Sequence, residues 1–437
     1  MEDLIVLSKD KQTITYANRD SKDIVIPKGV TSIGDLAFYD CYFLQDIDIP
    51  NSVTYIGQNA FGRCSSLRSI DIPNSVTFIS ANAFFWCTSL QNIDIPNSVV
   101  YIGINAFNNC SSLKSIDIPN SVKLIGGSAF AYCSSLKSID IPNSVEEIEN
   151  HTFEECSSLI SIDIPNSVTT IGFNAFEGCS SLQSLSIPNS VIQIKPRAFK
   201  RCSSLQSIDI PNSVTTIGLN AFEKCSSLER INVSLENTSY KSIDGILYDK
   251  SLTTIICFPL KHKLTTFSIP NGVSCIEQKA FANSSLQTIE IPNTLMVIKD
   301  RAFEQCSSLQ NINIPNSVTI IGPKAFEGCS TLQTIFIPNS VTHIEDSTFE
   351  GCSSLQSIDI PDSIIRISDS AFNGCSSLSD IYIRIENIDK VVTNNRELFS
   401  DEVFNNCILH IPSGTRWTYK HHPIFGKFKN IVTEKFN

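Results

Sequence analysis

The sequence predicts an α/β repeat solenoid, a right-handed coil of 23-residue units made mostly of short strands with short helical turns. Three observations indicate this fold: proline recurs every 23 residues, the segment before each proline alternates apolar and polar residues, and an Ala-Phe pair and a cysteine recur in step with the proline. Each such unit is too small to bury its apolar face alone. Stacked units bury it between them, and this stacking produces an elongated array.

The prolines fall into two series separated by a break, and the second series contains one step of 22 residues. Their positions are 27, 50, 73, 96, 119, 142, 165, 188 and 211, then 270, 292, 315, 338 and 361. The unit reads approximately Ser-Ser-Leu-x-Ser-Ile-Asp-Ile-Pro-Asn-Ser-Val-Thr-x-Ile-Gly-x-Asn-Ala-Phe-x-x-Cys. A repeat of this length that contains L-x-x-L-x-L is typical of leucine-rich repeats.

The residues around the third proline show how one unit is expected to fold. Leu67, Ile70 and Ile72 are spaced to bury one face of a short strand, and Asp71 then faces outward. Pro73-Asn74 is a turn sequence that ends the strand. Five of the Ala-Phe pairs follow an asparagine that is expected to cap a helical turn, and the phenylalanine of the pair is expected to fill the interior. These asparagines are Asn59, Asn82, Asn105, Asn174 and Asn220.

The sixteen cysteines follow the repeat, and all except Cys257 and Cys275 fall at one repeat position. Neighbouring units would hold their Cβ vectors parallel, which is poor geometry for a disulfide. A single row of thiols also cannot surround a metal ion tetrahedrally. We therefore expect a ladder of buried, reduced thiols, and neither a metal nor another cofactor.

The interruptions of the repeat predict the domain organisation. The insert runs from a hairpin, with turn residues 249–251, through a degenerate coil into the first regular coil, much as the N-terminus does. We therefore expect the insert to be the starting cap of a second array, with the two arrays meeting at a bend. The predicted segments are an N-terminal hairpin cap at 1–26, a first array at 27–233, the irregular insert at 234–267, a second array at 268–383 and a C-terminal cap at 384–437.

Charge and hydropathy restrict the classes of partner. The chain has 33 basic and 44 acidic residues, a net charge of −11, whereas a nucleic-acid-binding protein normally presents a basic face. The N-terminus is acidic with a short apolar run, unlike a signal peptide. No stretch approaches the roughly 18 apolar residues of a membrane span. We expect no nucleic-acid partner and no membrane span, and the missing signal predicts a cytoplasmic protein.

One row of outward positions on the predicted strands is strongly acidic. Adjacent like charges are unfavourable, so the row is either a solvated face that keeps the sheet unpaired or a surface that attracts basic partners. Tight calcium binding is not expected, because a flat row supplies too few oxygens. The acidic row consists of Asp48, Asp71, Asp94, Asp117, Asp140, Asp163, Asp209 and Asp359.

Two sets of aromatic residues are further binding candidates. Phe336 and Tyr382 replace the aspartate on either side of Asp359, and they indicate either an interface anchor or drift in a degenerate repeat. A second set lies in the early coils, where an exposed apolar patch would mark a contact surface and mutual packing would make it lateral core. Its members are Tyr55, Phe78, Tyr101 and Trp86.

The chain resembles the BspA-like leucine-rich-repeat family, found among surface proteins of bacteria and parasitic protists. The matching features are Ile-Pro-Asn-Ser-Val-Thr-x-Ile-Gly-x-x-Ala-Phe-x-x-Cys-Ser-Ser-Leu, the Ile-Asp-Gly-Ile-Leu-Tyr insert at 243–248 and the closing segment at 411–431. The resemblance implies a non-enzymatic role in adhesion, with a host matrix or cell-surface protein as partner, and it makes a cell-surface location possible. The alternative is an intracellular protein-interaction scaffold. No catalytic constellation is evident in the sequence.

Overall fold

The computed structural model describes residues 4–393 and 397–436, and it shows a β-solenoid of stacked coils. Residues 1–3, 394–396 and 437, which belong to the predicted terminal caps, lie outside the described residues. The chain divides into two compact units, Met1–Leu228 with Asn232–Ser239 and Glu229–Ile231 with Tyr240–Asn437. Each regular coil contributes to two rows of short strands. The first strand row holds the Ile-Asp-Ile segment, and the second strand row holds the isoleucine that follows the proline turn.

In the first unit an antiparallel hairpin, Ile5–Leu7 with Thr13–Ala17, precedes the coils and pairs in parallel with the second strand row. That row comprises Ser32–Ile33, Tyr55–Ile56, Phe78–Ile79, Tyr101–Ile102, Leu124–Ile125, Glu147–Ile148, Thr170–Ile171, Gln193–Ile194 and Thr216–Ile217. The first strand row comprises Ser69–Asp71, Asn92–Asp94 and Ser207–Ile210. Isolated parallel bridges continue this row from Asp117 through Asp140, Asp163 and Ser186 to Asp209. The strand Arg230–Val233 contributes residues to both units.

In the second unit the first strand row is one parallel sheet of eight strands. They are Thr266–Ser268, Thr288–Glu290, Asn311–Ile312, Thr334–Phe336, Ser357–Ile360, Asp380–Ile383, Ile408–Pro412 and Asn430–Glu434. The second strand row comprises Thr254–Cys257, Cys275–Ile276, Val297–Ile298, Ile320–Ile321, His343–Ile344, Arg366–Ile367 and Val392–Thr393. Strands pair in register, as in Ile335 with Ile358, so each repeat position forms a ladder along the unit.

The Ala-Phe segment does not form the expected helical turn. Asn82 and Trp86 both have positive φ, 56° and 60°, and these values interrupt a right-handed helix. The amides of Asn82, Phe84 and Trp86 donate to carbonyls of the next coil at 2.8 to 2.9 Å. The asparagine therefore occupies a left-handed position in a turn and does not cap a helix. Within the described residues helix is confined to Asp401–Asn406, Arg416–His421 and the 3-10 turns Ile388–Lys390 and Phe425–Lys427.

The interior is a column of phenylalanine rings. Phe107 and Phe130, both fully buried, stack with ring centroids 5.5 Å apart and planes 5° apart. The strand alternation is as predicted, because Leu67, Ile70 and Ile72 are buried and Asp71 is exposed. One coil thus supplies a single layer of a core that continues through its unit.

The cysteine ladder consists of free thiols that are buried beside this column. Cys133 donates from Sγ to the carbonyl oxygen of Phe107 in the preceding coil at 3.2 Å, and Cys156 bonds Phe130 in the same way at 3.1 Å. Burial raises the pKa of Cys133 to about 12. The thiols thus act as small apolar fillers with a weak hydrogen bond to the coil before.

The insert contains more strand than the sequence indicated. Tyr240–Ile243, Ile246–Asp249 and Thr254–Cys257 form an antiparallel meander. Its first turn is Asp244-Gly245, with φ of 52° and 82°, and the predicted turn near residue 250 is the second one. At the other end of the second unit, Tyr419 and Phe425 are fully buried and cover the last coils.

Candidate binding groove

The first strand row of the second unit brings the predicted Phe336, Asp359 and Tyr382 together. In-register pairing places Phe336 opposite Asp359, Asp359 opposite Tyr382, and Tyr382 opposite His410. Because all four lie at outward positions of adjacent parallel strands, their side chains follow one another across the sheet. Phe336 is 45 % exposed, whereas Tyr382 is half-buried.

A groove of about 960 Å³ lies beside this row and spans the corners of the last coils. It forms where the chain leaves the repeat: 384–391 replaces the usual proline turn, and 434–436 comprises the last residue of the terminal strand and the two residues after it. The groove has both apolar and charged walls. Its lining includes Phe336, Asp359, Pro361, Arg384, Val391 and Phe436, with Asp362, Glu386, Lys390 and Lys435 as further charged residues.

Arg384 is fixed within the groove from two sides. Its Nε donates to both carboxylate oxygens of Asp359 at 2.9 and 3.1 Å, and its Nη2 donates to Asp359 Oδ2 at 2.7 Å. The guanidinium carbon lies 5.3 Å from the centre of the Phe436 ring. The hydrogen bonds to Asp359 raise the pKa of Arg384. This arrangement joins a strand, the non-repeat segment and the end of the chain into one wall.

His410 is the second link in this region. Its Nε2 lies 2.9 Å from Asp380 Oδ1, its Nδ1 lies 2.6 Å from Glu434 Oε1, and its ring stacks on Tyr382 at 4.3 Å. Hydrogen bonds from the Ser379 hydroxyl and from His410 lower the pKa of Asp380. Burial and the nearby carboxylates raise the pKa of Tyr382.

Sequence reasoning found three of these residues and missed Arg384, His410 and Phe436. The three that were found replace or retain a repeat consensus residue, so the period reveals them. The other three lie where the repeat has ended, and nothing in the period predicts their neighbours. The sequence feature that could have pointed to this region is the end of the repeat pattern after residue 383.

The acidic row of the first unit forms a separate surface. Asp71 pairs with Asp94, and bridges continue the row from Asp117 to Asp140 and Asp163. The described aspartates of this row, from Asp48 to Asp209, are exposed. Asp209 is bound by the side-chain amide of Asn232 at 2.7 Å. Asp359, which belongs to the second unit, differs because Arg384 neutralises it.

The early aromatic residues lie on two parts of the coil. Tyr55, Phe78 and Tyr101 are successive residues of the second strand row, and the rings of the first two meet edge to face at 5.7 Å. Phe78 is 36 % exposed, and Tyr55 and Tyr101 are half-buried. Trp86 lies on the turn segment and is 44 % exposed, next to Phe85. The rings therefore leave apolar surface open in this part of the unit.

Within the described ranges, no group of three His, Cys, Asp or Glu side chains is arranged to hold a metal ion. None of the helices in that part of the chain is long and apolar enough to cross a membrane.

The fold and its repeat define a leucine-rich-repeat protein. The family model described as the BspA type leucine rich repeat region matches residues 12–137, 123–254, 255–379 and 298–413, and the chain belongs to this family. A leucine rich cell surface protein from Faecalibacterium prausnitzii is 33 % identical, with 87 % of this chain and 92 % of that chain covered and a TM-score of 0.60. A leucine-rich repeat protein from Bacteroides ovatus is 28 % identical, covering 90 % and 98 %, with a TM-score of 0.56. A comparison with proteins of curated function gives no match.

Proposed function

We propose that this chain is a non-enzymatic protein-binding solenoid that acts in adhesion at a cell surface, and that the groove of the second unit is its binding site. Membership in the BspA type family supports the class of function. The similarity to a cell surface protein supports the location. The partner is a protein, because a groove with apolar walls and a few charged residues suits an extended polypeptide segment.

The exposure of Phe336 carries this proposal. The two preceding coils place Asn313 and Glu290 at the same outward position, and the following coil places Asp359 there. A phenylalanine that is 45 % exposed in a polar row leaves apolar area in contact with water, and burying this area under a partner is favourable. Its position on the rim of the groove makes it a binding anchor, since aromatic residues dominate the energetics of protein interfaces.

An adhesion assay tests the proposal. The purified chain is applied to intact host cells and to immobilised extracellular-matrix proteins, and Phe336→Asp is compared with Ile320→Asp. Ile320 is a matched control because it is 54 % exposed in the same unit but lies on the second strand row. We expect Phe336→Asp to lower binding about tenfold or more and Ile320→Asp to leave it unchanged. Equal binding by both variants, or no binding by the wild type, contradicts the proposal.

The buried thiols favour a second candidate function, an intracellular scaffold that uses the same groove. Ladder cysteines such as Cys133 and Cys156 form no disulfide, and reduced thiols persist mainly in reducing compartments. Biotin labelling of intact source cells, with a cytoplasmic protein as control, separates the two. Labelling from outside supports adhesion, and protection until lysis supports the scaffold.

A further inference from the structure

A single imidazole joins three neighbouring strands at the C-terminal end of the second unit. His410 lies on Ile408–Pro412, between the strand Asp380–Ile383 and the terminal strand Asn430–Glu434. Its two nitrogens are 2.9 Å from Asp380 and 2.6 Å from Glu434. Its side chain is 10 % exposed, whereas those of Asp380 and Glu434 are 31 % and 38 % exposed.

The two contacts require a particular protonation state. An ionised carboxylate only accepts hydrogen bonds, so each ring nitrogen must donate one. The imidazolium has two N–H groups, whereas a neutral ring has one and turns a lone pair toward the other carboxylate. Deprotonation therefore breaks one of the two bonds and replaces it with repulsion.

Burial and neighbouring groups shift the pKa of three side chains near the ring. Tyr382 stacks on the ring, and burial with nearby carboxylates raises its pKa. The Cys407 thiol precedes the strand, and burial raises its pKa to about 12. Asp380 has a lowered pKa, Glu434 is the other carboxylate, and the neighbouring cation Arg384 is held by Asp359. Histidine is the side chain that titrates in the physiological range.

Glu434 is the carboxylate that is expected to lose its hydrogen bond when the ring is deprotonated. Asp380 is also bound by the Ser379 hydroxyl at 2.6 Å, and its strand has a neighbour on each side. The strand Asn430–Glu434 ends the sheet and has one neighbour, and the residues after it form a wall of the groove. We propose that His410 is a pH-operated clamp. Besides the backbone pairing of the terminal strand with Ile408–Pro412, its charged imidazolium tightens that strand and the groove wall, and its deprotonation loosens them. This inference goes beyond the proposed function, because it concerns the wall with or without a ligand.

Hydrogen exchange of the full chain tests the clamp. Protection factors, corrected for the intrinsic pH dependence of exchange, are measured for 430–434 at about pH 5.5 and about pH 8, the range in which histidine side chains of proteins generally change charge. We expect protection to be about tenfold lower at the higher pH, the effect of losing one charged hydrogen bond. In Glu434→Gln the amide can accept from a protonated nitrogen or donate to a neutral one, so we expect its protection to be equal at both pH values.

Two further variants keep the test decisive. His421→Gln removes an exposed histidine of the same cap and should retain the wild-type pH dependence. Asp380→Asn makes the same change on the other side of the ring, so its protection should also be equal at both pH values. If Glu434→Gln fails to fold, Asp380→Asn takes its place. Equal protection of the wild type at both pH values overturns the clamp. A pH dependence that survives in both amide variants also overturns it.

Discussion

Arg384 and Asp359 form a bidentate ion pair across adjacent strands, with nitrogen-to-oxygen distances from 2.7 to 3.1 Å. The pair fills a position where the first unit leaves aspartates exposed in a row. It also holds the guanidinium against Phe436, near the end of the chain. The acidic position of the repeat has thus acquired a structural partner in the coil that borders the groove.

Replacing this arginine tests its role in the wall. Arg384→Lys keeps the charge but removes the planar fork that binds both carboxylate oxygens and stacks on the ring. We expect faster hydrogen exchange at 434–436 and a small loss of stability, about 1 kcal/mol or less, because the pair is partly exposed. Arg366→Lys, an exposed arginine on the second strand row of the same unit, is the control. Unchanged exchange in Arg384→Lys contradicts this assignment.

Stability of the first unit should depend on the phenylalanine column. Phe130 packs between Phe107 and Phe153 at 5.5 and 5.9 Å and is fully buried. We expect Phe130→Ala to lower the free energy of unfolding by about 3–5 kcal/mol, through lost transfer energy and a residual cavity. Phe78→Ala removes a partly exposed ring and should cost clearly less. Urea unfolding followed by circular dichroism measures the free energy of unfolding of both variants. Similar losses in the two would contradict a stabilising role of the phenylalanine column.

The left-handed turn position predicts two substitutions of very different cost at one residue. Asn82 has φ of 56°, a conformation that β-branched residues adopt at high cost and glycine adopts freely. We expect Asn82→Val to destabilise the protein by about 1–2 kcal/mol. Asn82→Gly should change stability much less. If thermal unfolding shows valine to be tolerated as well as glycine, the segment has a different backbone conformation.

The thiol ladder should resist chemical modification in the folded protein. A thiol reagent attacks the thiolate, and burial raises the pKa of Cys133 and Cys375 to about 12. Both about pH 7 and about pH 9 lie well below that pKa, so the thiolate remains a very small fraction at either pH and the reaction of these thiols should stay slow in the folded protein. We expect the partly exposed Cys275 to react first and the buried thiols only on unfolding. Mass spectrometry of the labelled protein identifies the sites, and early labelling of Cys133 would contradict the burial.

The first unit offers two surfaces that a salt titration can distinguish. If the acidic row attracts a basic partner, Asp117→Asn with Asp140→Asn should weaken binding, and so should raising salt toward about 0.5 M, where screening is strong. If the apolar row is the contact, Phe78→Ser with Tyr101→Ser should weaken binding with little salt dependence. The adhesion assay reads out both pairs of variants. Binding that neither pair alters excludes both surfaces of this unit.

The repeat predicted those parts of the fold that one unit determines. Ile70 and Asp71 differ in burial because a strand alternates, and Phe107 is buried because every coil presents the same face. The turn at Asn82 was misassigned because an asparagine suits both a helix cap and a left-handed residue, and only the hydrogen bonds to the next coil distinguish them. Phe336 was visible as a break in a pattern. Arg384 and His410 were not, since contacts between non-repeat residues depend on tertiary packing alone.

The cross-coil bonds also bear on how the gene can change. In regular coils the thiol of each cysteine reaches a carbonyl 26 positions earlier, and strand partners lie 23 positions apart. Duplicating or deleting one whole 23-residue unit within an array preserves every one of these offsets, whereas an insertion of a few residues changes the offset of every pair that spans it. Unequal recombination between similar repeats can thus lengthen or shorten an array in single steps, while the groove and its non-repeat residues are inherited as one block outside the repeats.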